Sequence, residues 1–542
     1  MHRTALFLLS LLPTSASAQI SSGGSPLSAT HELSADIPLV VLESPDVARL
    51  LAEDGARGEW PLRYGATIDT SLDVNTDGRW DELPGGELVW RIRIASPGAR
   101  SLGLVFDRFE LPEGARLFVY DPARTTVLGA FTAANHQPNG MLAVQPLAGD
   151  GLIIEYDQAR DGDGRLELSL AQLIHDYRGI LGASGQSFSG NCQFDTQCPE
   201  AAAYQDIKRA VVMLLNGGGQ CSGVVLNNTA EDATPYFYTA NHCGNMQNVV
   251  AVFGYERPAC GSGTASQANT VSGATLLRAS PLFDSQLYQL SAAPPASYAP
   301  FYAGWDKRGG PPGPAPNISH PAGQPKKIAV DLQDPQLAGS FWNVDWEFGL
   351  IQGGSSGSPL FNGYQRVIGA ACCVNNFSCG TQVVSFGRFN GFWNQLDLAP
   401  WLDPIGLGVN RIDGFDPFLP IAIPFNGNDL NPTAYTSTSP PAIGQTWTAE
   451  IDSSSLPAAT LSLIAGFGAP SSGLILAFGE LLIDPSSPRH FVSTSAVTGA
   501  SSQHANAIPN DAALVDFRSY TQGFLVGGGA TQATNGVELR LR

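Results

Sequence analysis

Two short stretches decide how this chain folds, Tyr238-Thr-Ala-Asn-His-Cys243 and Gly353-Gly-Ser-Ser-Gly-Ser-Pro359. The first places a histidine beside a cysteine directly after a short apolar run. The second places a serine in a tight glycine turn. A serine hydroxyl becomes a strong nucleophile when a neighbouring imidazole takes its proton, and the N–H groups of such a turn can stabilise the oxyanion that follows. The two stretches therefore predict one hydrolytic site assembled from distant parts of the chain.

The serine turn predicts a nucleophile and an oxyanion hole within a few residues. Ser356 is the predicted nucleophile, and the backbone amides of Gly354 and Ser356 are the predicted oxyanion donors. Gly357 lets the backbone turn without a side-chain clash. His242 is the predicted general base. A lone histidine beside a cysteine is often structural, but the histidine-first, serine-last order is that of the chymotrypsin-type proteases and favours a catalytic role.

A buried carboxylate is needed to hold the tautomer of this imidazole. Asp284 comes just before an alternating strand pattern, so its carboxylate can point inward beside His242. It also lies between His242 and Ser356 in the sequence, as the order requires. The main alternative is Asp306, but two basic residues follow it, so a turn residue is the simpler interpretation. We therefore expect Asp284 to orient the histidine.

Two other hydrolytic mechanisms fit the sequence less well. An α/β-hydrolase needs a G-x-S-x-G elbow followed by an acid and then a histidine. Asp403 and His490 could supply that order, but Ser358 occupies the position of the second glycine. Zinc chemistry is weaker still, because the chain has no HExxH motif and no paired Cys/His spacing. No catalytic metal and no other cofactor is expected.

Composition indicates an exported, β-rich protein. Charged residues make up 14% of the 542, with 60 Gly and 39 Pro, which is typical of loop-rich β proteins. The net charge of −19 argues against nucleic acid or an anionic membrane surface as a partner. A basic start, an apolar run and Ala16-Ser-Ala18 predict a signal peptide, and no later apolar run is long enough to span a bilayer. We expect a secreted protein, extracellular or at the cell surface.

The cysteines divide the chain into regions. All eight lie between Cys192 and Cys379, which locates one disulfide-linked domain. The expected fold class is all-β throughout. The predicted divisions are a signal peptide (1–18), a β-rich N-terminal pro-region (19–181), a β-barrel domain (182–416), a Pro/Ser-rich linker (417–442) and a small sandwich-like β domain of unknown role (443–542).

From Gly182 to about Asp416 the chain resembles the lysyl endopeptidases, secreted bacterial serine proteases of the chymotrypsin fold. The resemblance rests on a series of short matches in the family's order: Asn191-Cys192, Gln197-Cys198-Pro199, Asp206-Ile-Lys-Arg-Ala-Val211, Asn227-Asn-Thr-Ala230, Thr239-Ala-Asn-His-Cys243, Ala303-Gly-Trp-Asp-Lys-Arg308, His320-Pro321, Gly354-Ser-Ser-Gly-Ser-Pro359, Trp401-Leu-Asp-Pro404 and Ile412-Asp-Gly414. It implies a double β-barrel. The family's triad falls on His242, Asp284 and Ser356.

The resemblance also implies three disulfides: Cys221–Cys243, Cys198–Cys260, and Cys192 with Cys379 or a near neighbour. It leaves the adjacent Cys372 and Cys373 without a family counterpart. These two could bond to each other, re-pair with Cys379 or remain free.

The chain departs from the family where the substrate side chain would bind. The family's lysine-binding aspartate falls on Val384, and the histidine beside that pocket falls near Cys372. An ammonium in an apolar pocket without a counter-charge costs several kcal/mol. The S1 pocket is therefore predicted to be neutral and to take apolar or aromatic side chains, with a slip in the alignment as the alternative.

Ser355 stands where digestive relatives carry the aspartate that captures a newly cut N-terminus, so that activation switch is expected to be absent. Residues 19–181 are instead expected to fold with or mask the protease and to be removed near Gly182. The leading interpretation is a monomeric zymogen of a secreted serine endopeptidase acting on peptides, with P1 not strictly lysine. The alternative is a non-catalytic binding or adhesion protein built on a protease-like fold. The unusual cysteine pair and the missing pocket aspartate keep it open.

Overall fold

The computed structural model describes residues 21–542 except 32, 35, 58–60, 159, 161–163, 182–191, 377, 379, 381 and 516. The predicted signal peptide and the predicted cut near Gly182 lie outside the described residues. The chain forms two compact units, one ending at Pro417 and one covering Phe418–Arg542. Strands dominate both units, which confirms the predicted all-β class. Within the described residues, no helix has the length and apolar character needed to cross a bilayer.

The N-terminal part of the first unit is a sandwich of two sheets. Its elements are β1 (Leu39–Val41), α1 (Val47–Arg57), β2 (Leu62–Arg63), β3 (Gly65–Asp73), β4 (Arg79–Glu82), β5 (Leu88–Ala95), β6 (Ser101–Glu110), β7 (Arg116–Tyr120), β8 (Val127–Phe131), β9 (Leu142–Ala148), β10 (Gly151–Gln158) and β11 (Glu167–Asp176). One sheet has the order β1-β5-β10-β7-β8 with β4 beside β5, and the other β3-β11-β6-β9. Apolar residues of both sheets, such as Ile92, Phe106 and Leu173, share one core.

The first sheet of the predicted protease region is built from short strands that, apart from the strand Ala274–Ser280, are almost wholly buried. Its segment contains β12 (Phe194–Asp195), α2 (Ile207–Ala210), β13 (Val211–Asn216), β14 (Gly219–Leu226), β15 (Tyr236–Thr239), β16 (Val250–Val252), β17 (Thr270–Ser272), β18 (Ala274–Ser280) and β19 (Ser285–Leu290). The strand order is β17-β16-β13-β14-β15-β19-β18, and all these pairings are antiparallel. This order brings β14, β15 and β19 side by side, and their loops carry the predicted histidine and aspartate.

The second sheet follows in sequence. Its segment contains β20 (Trp305–Asp306), β21 (Ala315–Ser319), β22 (Lys327–Asp331), β23 (Gln336–Ala338), β24 (Phe341–Asp345), β25 (Pro359–Phe361), β26 (Val367–Val374), β27 (Val383–Arg388), α3 (Phe389–Leu396), α4 (Ala399–Leu402) and β28 (Arg411–Ile412). The order is β12-β22-β21-β25-β26-β27-β24-β23, with β20 beside β26 and β28 beside β20. Aromatic residues of α3 pack in a core shared by both sheets.

The N-terminal sandwich is joined to the first sheet of the predicted protease region by strand pairing and a shared core. β2 pairs antiparallel with β14, with Leu62 opposite Gln220. Tyr64 and Ile174 of the sandwich pack in one buried cluster with Met213 and Val250 of the sheet. The described parts of residues 21–181 therefore pack directly on the first sheet of the predicted protease region.

The second unit is all-β. Its strands are β29 (Ile421–Phe425), β30 (Tyr435–Ser437), β31 (Thr446–Asp452), β32 (Ala459–Phe467), β33 (Pro470–Leu476), β34 (Gly479–Ile483), β35 (Arg489–Ala496), β36 (Ser501–Ala507), β37 (Arg518–Gly527) and β38 (Ala530–Arg540). They form a sheet β29-β38-β37-β32-β35, a sheet β30-β31-β36 and the hairpin β33-β34.

The prediction of a linker over 417–442 is wrong. β29 pairs with β38 through five residue pairs, and β30 pairs with β31, so most of this stretch belongs to the second unit. Pro424 is compatible with a strand because β29 lies at the edge of its sheet, where a missing N–H can face away from the partner. The second unit therefore begins about 25 residues before the predicted start at 443.

Candidate active site

His242 follows directly from a buried strand. β15 pairs with β14 on one side and β19 on the other. After Thr239 the chain makes a short 3-10 turn, Asn241–Cys243, which ends at Gly244 with φ +82. Cys243 is bonded to Cys221 of β14, so the turn that carries the histidine is covalently tied to the neighbouring strand. The position of His242 is therefore fixed by the strand β15 before it and by the Cys221–Cys243 disulfide after it.

Asp284 lies in the tight connection between β18 and β19 and accepts two hydrogen bonds from His242. Its Oδ1 accepts the backbone N–H of His242 at 2.8 Å, and its Oδ2 is 2.6 Å from Nδ1 of the imidazole. The carboxylate is buried, and the residue has a positive φ of 43°. This contact fixes the imidazole orientation and places the Nδ1 proton on the aspartate side.

Asp306, the alternative carboxylate, is used elsewhere. Its Oδ1 accepts Nε of Arg308 at 2.9 Å and its Oδ2 accepts Nη2 at 2.6 Å, a bidentate pair. Burial acts to raise the pKa of this carboxyl, but the hydrogen bonds from the side chain and backbone N–H of Arg308 hold it below its usual range. Asp306 therefore closes its own turn, as the simpler interpretation of the sequence expected.

The serine turn packs directly against the segment that precedes the histidine. The carbonyl of Ser356 accepts the N–H of Ser222 at 2.8 Å. Gly357 has φ +78, and a Cβ there would overlap Thr239 Oγ1 and lie 2.7 Å from the backbone nitrogen of Ala240. The close approach thus requires glycine. Within the described residues Ser356 Oγ makes no hydrogen bond, so the turn lies beside the histidine segment without a bond through that hydroxyl.

The two predicted oxyanion donors have defined directions. The carbonyl of Gly353 accepts Ala322 N–H at 2.6 Å, and the carbonyl of Ser355 accepts Ser358 N–H at 3.0 Å. In a trans peptide the N–H points opposite to the preceding C=O, so the N–H groups of Gly354 and Ser356 point away from these partners. Neither amide donates a hydrogen bond inside the part of the chain that the structure describes. Both are thus available to an incoming oxygen.

A layer of buried polar residues behind the turn was not identified from the sequence. The Gln220 side chain donates to the carbonyls of Gly354 and His320 at 3.1 and 3.2 Å, and Ser222 Oγ donates to Gly354 at 3.0 Å. Ser355 Oγ lies 2.9 Å from Ser319 Oγ. A Gln and a Ser flanking Cys221 in a strand that is otherwise apolar are the signals that could have indicated this layer.

His320 is part of the same layer and stays neutral. Its ring is fully buried, stacks on Tyr255, and its Nδ1 donates to the carbonyl of Gln324 at 3.0 Å. Burial, and secondarily the nearby Lys326 ammonium, lowers the pKa of His320 to about 3. The uncharged ring therefore packs on Tyr255, and it is the backbone of His320 that contacts the polar layer, with its N–H donating to Ser222 Oγ at 3.0 Å.

The predicted pocket residue Val384 lies among apolar side chains. It is fully buried in a cluster with Ile351, Ala371 and Trp346. Gln382, two positions earlier, uses its side-chain oxygen to accept the N–H groups of Ile351 and Trp346. Val384 thus has an apolar setting, consistent with a neutral pocket.

The cysteines are paired in the described structure. Cys198 is bonded to Cys260 and Cys221 to Cys243. Cys192 is disulfide-bonded, and its predicted partner Cys379 lies outside the described residues. Of the three alternatives for Cys372 and Cys373, the structure has the bond between the two neighbours.

Three side chains of the kinds that bind metal ions lie close together at this site. Ligand-type atoms of His242, Asp284 and Cys372 lie within 4.8 Å of one another. The sulfur of Cys372 is in a disulfide and the carboxylate of Asp284 is used by His242, so this donor set does not suit a resident metal.

Comparisons with known proteins agree with the sequence motifs. Residues 186–383 match the family model described as lysyl endopeptidase, C-terminal domain. A lysyl endopeptidase of Pseudomonas aeruginosa is 28% identical over 341 residues, which cover 55% of this chain and 71% of that protein. Among solved structures, a Glu endopeptidase is 15% identical with a TM-score of 0.27, covering 39% of this chain and 97% of that one. A scabies mite inactivated protease paralogue is 15% identical with a TM-score of 0.27, covering 36% and 98%. Over residues 186–383 the chain is thus similar to the lysyl endopeptidases, which confirms the resemblance predicted from its motifs.

Proposed function

We propose that this protein is a secreted serine endopeptidase that hydrolyses peptide bonds through an acyl-enzyme. Ser356 attacks the scissile carbonyl, and His242 takes its proton and later returns it to the leaving amine. Asp284 holds the imidazole in the required tautomer and stabilises its protonated form. The N–H groups of Gly354 and Ser356 stabilise the oxyanion of the tetrahedral intermediate.

The contact between His242 and Asp284 is the observation that carries the proposal. A carboxylate that accepts both the backbone N–H and the ring N–H of one histidine leaves Nε2 as the ring atom to act as base. The serine turn packs against Ala240, which lies two residues before that histidine in the sequence. Support also comes from the family match over 186–383, which contains all three residues.

Specificity for neutral side chains at P1 is part of the proposal. The lysyl endopeptidase relatives are named for cleavage at lysine, and the position that would carry the binding aspartate is Val384 here. A buried valine beside Ile351 cannot balance an ammonium, whereas it can contact apolar or aromatic groups. We therefore expect cleavage after residues such as Leu or Phe rather than strictly after Lys.

The N-terminal sandwich is proposed to act as a pro-region removed near Gly182. Its shared core with the first protease sheet supports a role in forming that sheet. Ser355 contacts the hydroxyl of Ser319 and carries no charge, so activation by an N-terminal ion pair at this position is not available. Removal of the pro-region is therefore the expected activating step.

The test is to express the full precursor and Ser356→Ala in parallel. A fluorophosphonate probe should label the processed protein and not the variant, and a peptide library should show cuts after apolar residues only for the former. Cuts strictly after Lys would keep the serine mechanism and refute the neutral pocket. Absence of both labelling and cutting would favour a non-catalytic binding protein on a protease-like fold.

A further inference from the structure

The neighbouring half-cystines Cys372 and Cys373 form a sequence motif that the proposed mechanism does not use. They lie near the end of β26 and are bonded to each other. Opposite β27 the register shifts at this point, because Ala371 pairs with Phe386 while Cys373 pairs with Ser385. Two residues of β26 therefore face one of β27, and Cys372 is the extra residue of a bulge.

The bulge lies between the parts of the candidate site. On its N-terminal side, the Ala371 carbonyl accepts the N–H of Gly357 at 2.8 Å, which ties β26 to the serine turn. At the bulge itself, the Cys372 sulfur lies within 4.8 Å of a ring nitrogen of His242 and a carboxylate oxygen of Asp284. One strand end is therefore hydrogen-bonded to the turn of the predicted nucleophile and lies near the histidine–aspartate pair.

The other side of the bulge leads to the candidate pocket. Val374 follows the disulfide and packs against the buried cluster that contains Val384 and Ile351. Cys372 is largely buried, at 8% exposure, whereas Cys373 is exposed. The disulfide thus has His242 and Asp284 near its Cys372 sulfur and is followed by a residue that packs on the candidate pocket cluster, while Cys373 is exposed to solvent.

We propose that the Cys372–Cys373 disulfide is a substrate-positioning element of this site that a dithiol can open. The inference rests on the proposed protease function and adds to it a second determinant of substrate binding. The bond closes both side chains into one ring, so neither can rotate alone, and it fixes the strand end at the bulge. After reduction each side chain can adopt its own rotamers, so the surface that Cys372 presents near His242 no longer has one fixed conformation. Substrate contacts are lost while the histidine–aspartate contact and the serine turn keep their own hydrogen bonds.

The redox step needs an external dithiol and balances with it. One thiolate of the reagent attacks a sulfur of the pair, most readily in the exposed Cys373, and the Cys372 sulfur leaves as a thiolate that takes up a proton. The second reagent thiol then closes the reagent's own disulfide and releases the Cys373 thiol. Two electrons and two protons reach the protein, and one disulfide of the reagent forms.

The experiment compares processed wild type with Cys372→Ser/Cys373→Ser, each before and after dithiothreitol. The double variant keeps the other six cysteines, so its response measures their contribution. Alkylation and mass spectrometry identify the reduced cysteines, a fluorophosphonate counts reactive Ser356, and a fluorogenic peptide gives kcat and KM separately. We expect reduction of the wild type to raise KM about tenfold, the effect of losing one pocket contact, with kcat and the labelled fraction nearly unchanged. Reoxidation should restore KM, and the double variant should resemble reduced wild type and not respond.

Several outcomes would overturn the inference. One is an unchanged KM in wild type whose Cys372 and Cys373 are shown to be reduced. Another is an equal response of the double variant, which would assign the effect to the remaining disulfides. A merely structural role would lower the labelled fraction and leave the KM of the surviving molecules as it was. Absence of labelling in the oxidised wild type would instead refute the protease function on which the inference rests.

Discussion

The Asp284 carboxylate accepts both the backbone N–H and the ring N–H of His242, at 2.8 and 2.6 Å. Two contacts from one residue fix the histidine more firmly than a single bond to the ring would. The backbone contact also holds the 3-10 turn against β19, so position and tautomer depend on the same carboxylate. Loss of the charge should therefore affect catalysis far more than folding.

Asp284→Asn should lower kcat/KM by roughly 10⁴-fold, because the amide favours the wrong imidazole tautomer. The amide oxygen can still accept the His242 backbone N–H, so the unfolding transition should change little. Steady-state kinetics and circular dichroism measure the two effects. Asp345→Asn, at an exposed position, is the matched control and should behave as wild type. Near-normal activity of Asp284→Asn would refute the assigned role.

Gly357→Ala should disable the site through backbone displacement. The new Cβ would overlap Thr239 Oγ1 and lie 2.7 Å from Ala240 N, and φ is +78. Because a shift of about 1 Å at reacting groups costs about 100-fold in rate, a loss of at least that size in kcat/KM is expected. Gly261→Ala has a similar φ of +69 but meets nothing within 4 Å, so it controls for backbone strain alone. Equal losses in both variants would contradict the packing argument.

Val384→Asp should exchange a neutral pocket residue for a charged one. Peptides that differ only in Leu or Lys at P1 should then shift in preference toward Lys, with the Leu substrate losing at least tenfold in kcat/KM. The same change should lower the free energy of unfolding, because the carboxylate replaces a fully buried valine. Val384→Asn, of similar size without charge, should lose activity on Leu without gaining it on Lys. An unchanged P1 profile in the aspartate variant would place the pocket elsewhere.

Much of the site was predictable because its chemistry requires particular residue types in a particular order. Asp284 could be chosen over Asp306 from the alternating strand pattern that follows Asp284 and from the two basic residues that follow Asp306. The pairing of Cys372 with Cys373 could not be chosen, since it depends on a local bulge that no residue type signals. The strands β29 and β30 were missed because Pro and Ser dominate their surroundings, and only the partner β38 shows that Pro424 sits at an edge.

His320 should make stability fall with acidification. The folded pKa is about 3 and the ordinary value 6.5, so between these values the unfolded state binds a proton that the folded state does not. This histidine therefore does not reduce the free energy of unfolding above pH 6.5. Below pH 6.5 that free energy falls as the pH falls, by up to about 1.4 kcal/mol per pH unit. Denaturant unfolding of Ser356→Ala at pH 7 and 4.5, with and without His320→Gln, measures the effect without autolysis. The glutamine variant should lose less stability over this range; parallel losses would show that the carboxylates alone are responsible.

Two adjacent glycines allow a test of how the N-terminal sandwich packs against the turn between β13 and β14. Gly217 and Gly218 both have positive φ, in the turn between β13 and β14. A Cβ at Gly218 would overlap the carbonyl oxygen of Gly65 and lie 2.8 Å from its carbonyl carbon, whereas a Cβ at Gly217 meets nothing within 4 Å. The Gly65 and Tyr64 N–H groups also donate to Gly218 O, at 3.0 and 2.8 Å. Gly218 is therefore a point at which the sandwich touches the protease sheet.

Gly218→Ala should weaken this seating while Gly217→Ala should not. A cleavage site engineered within 182–191 of Ser356→Ala allows the covalent link between the sandwich and the rest of the chain to be cut. Size-exclusion chromatography then reports whether the two fragments stay associated. Wild type and Gly217→Ala should co-elute because the shared core around Tyr64 and Met213 remains buried. Gly218→Ala should release the sandwich at lower denaturant concentration. Co-elution of all three under the same conditions would show that the apolar core, rather than this turn, determines the seating.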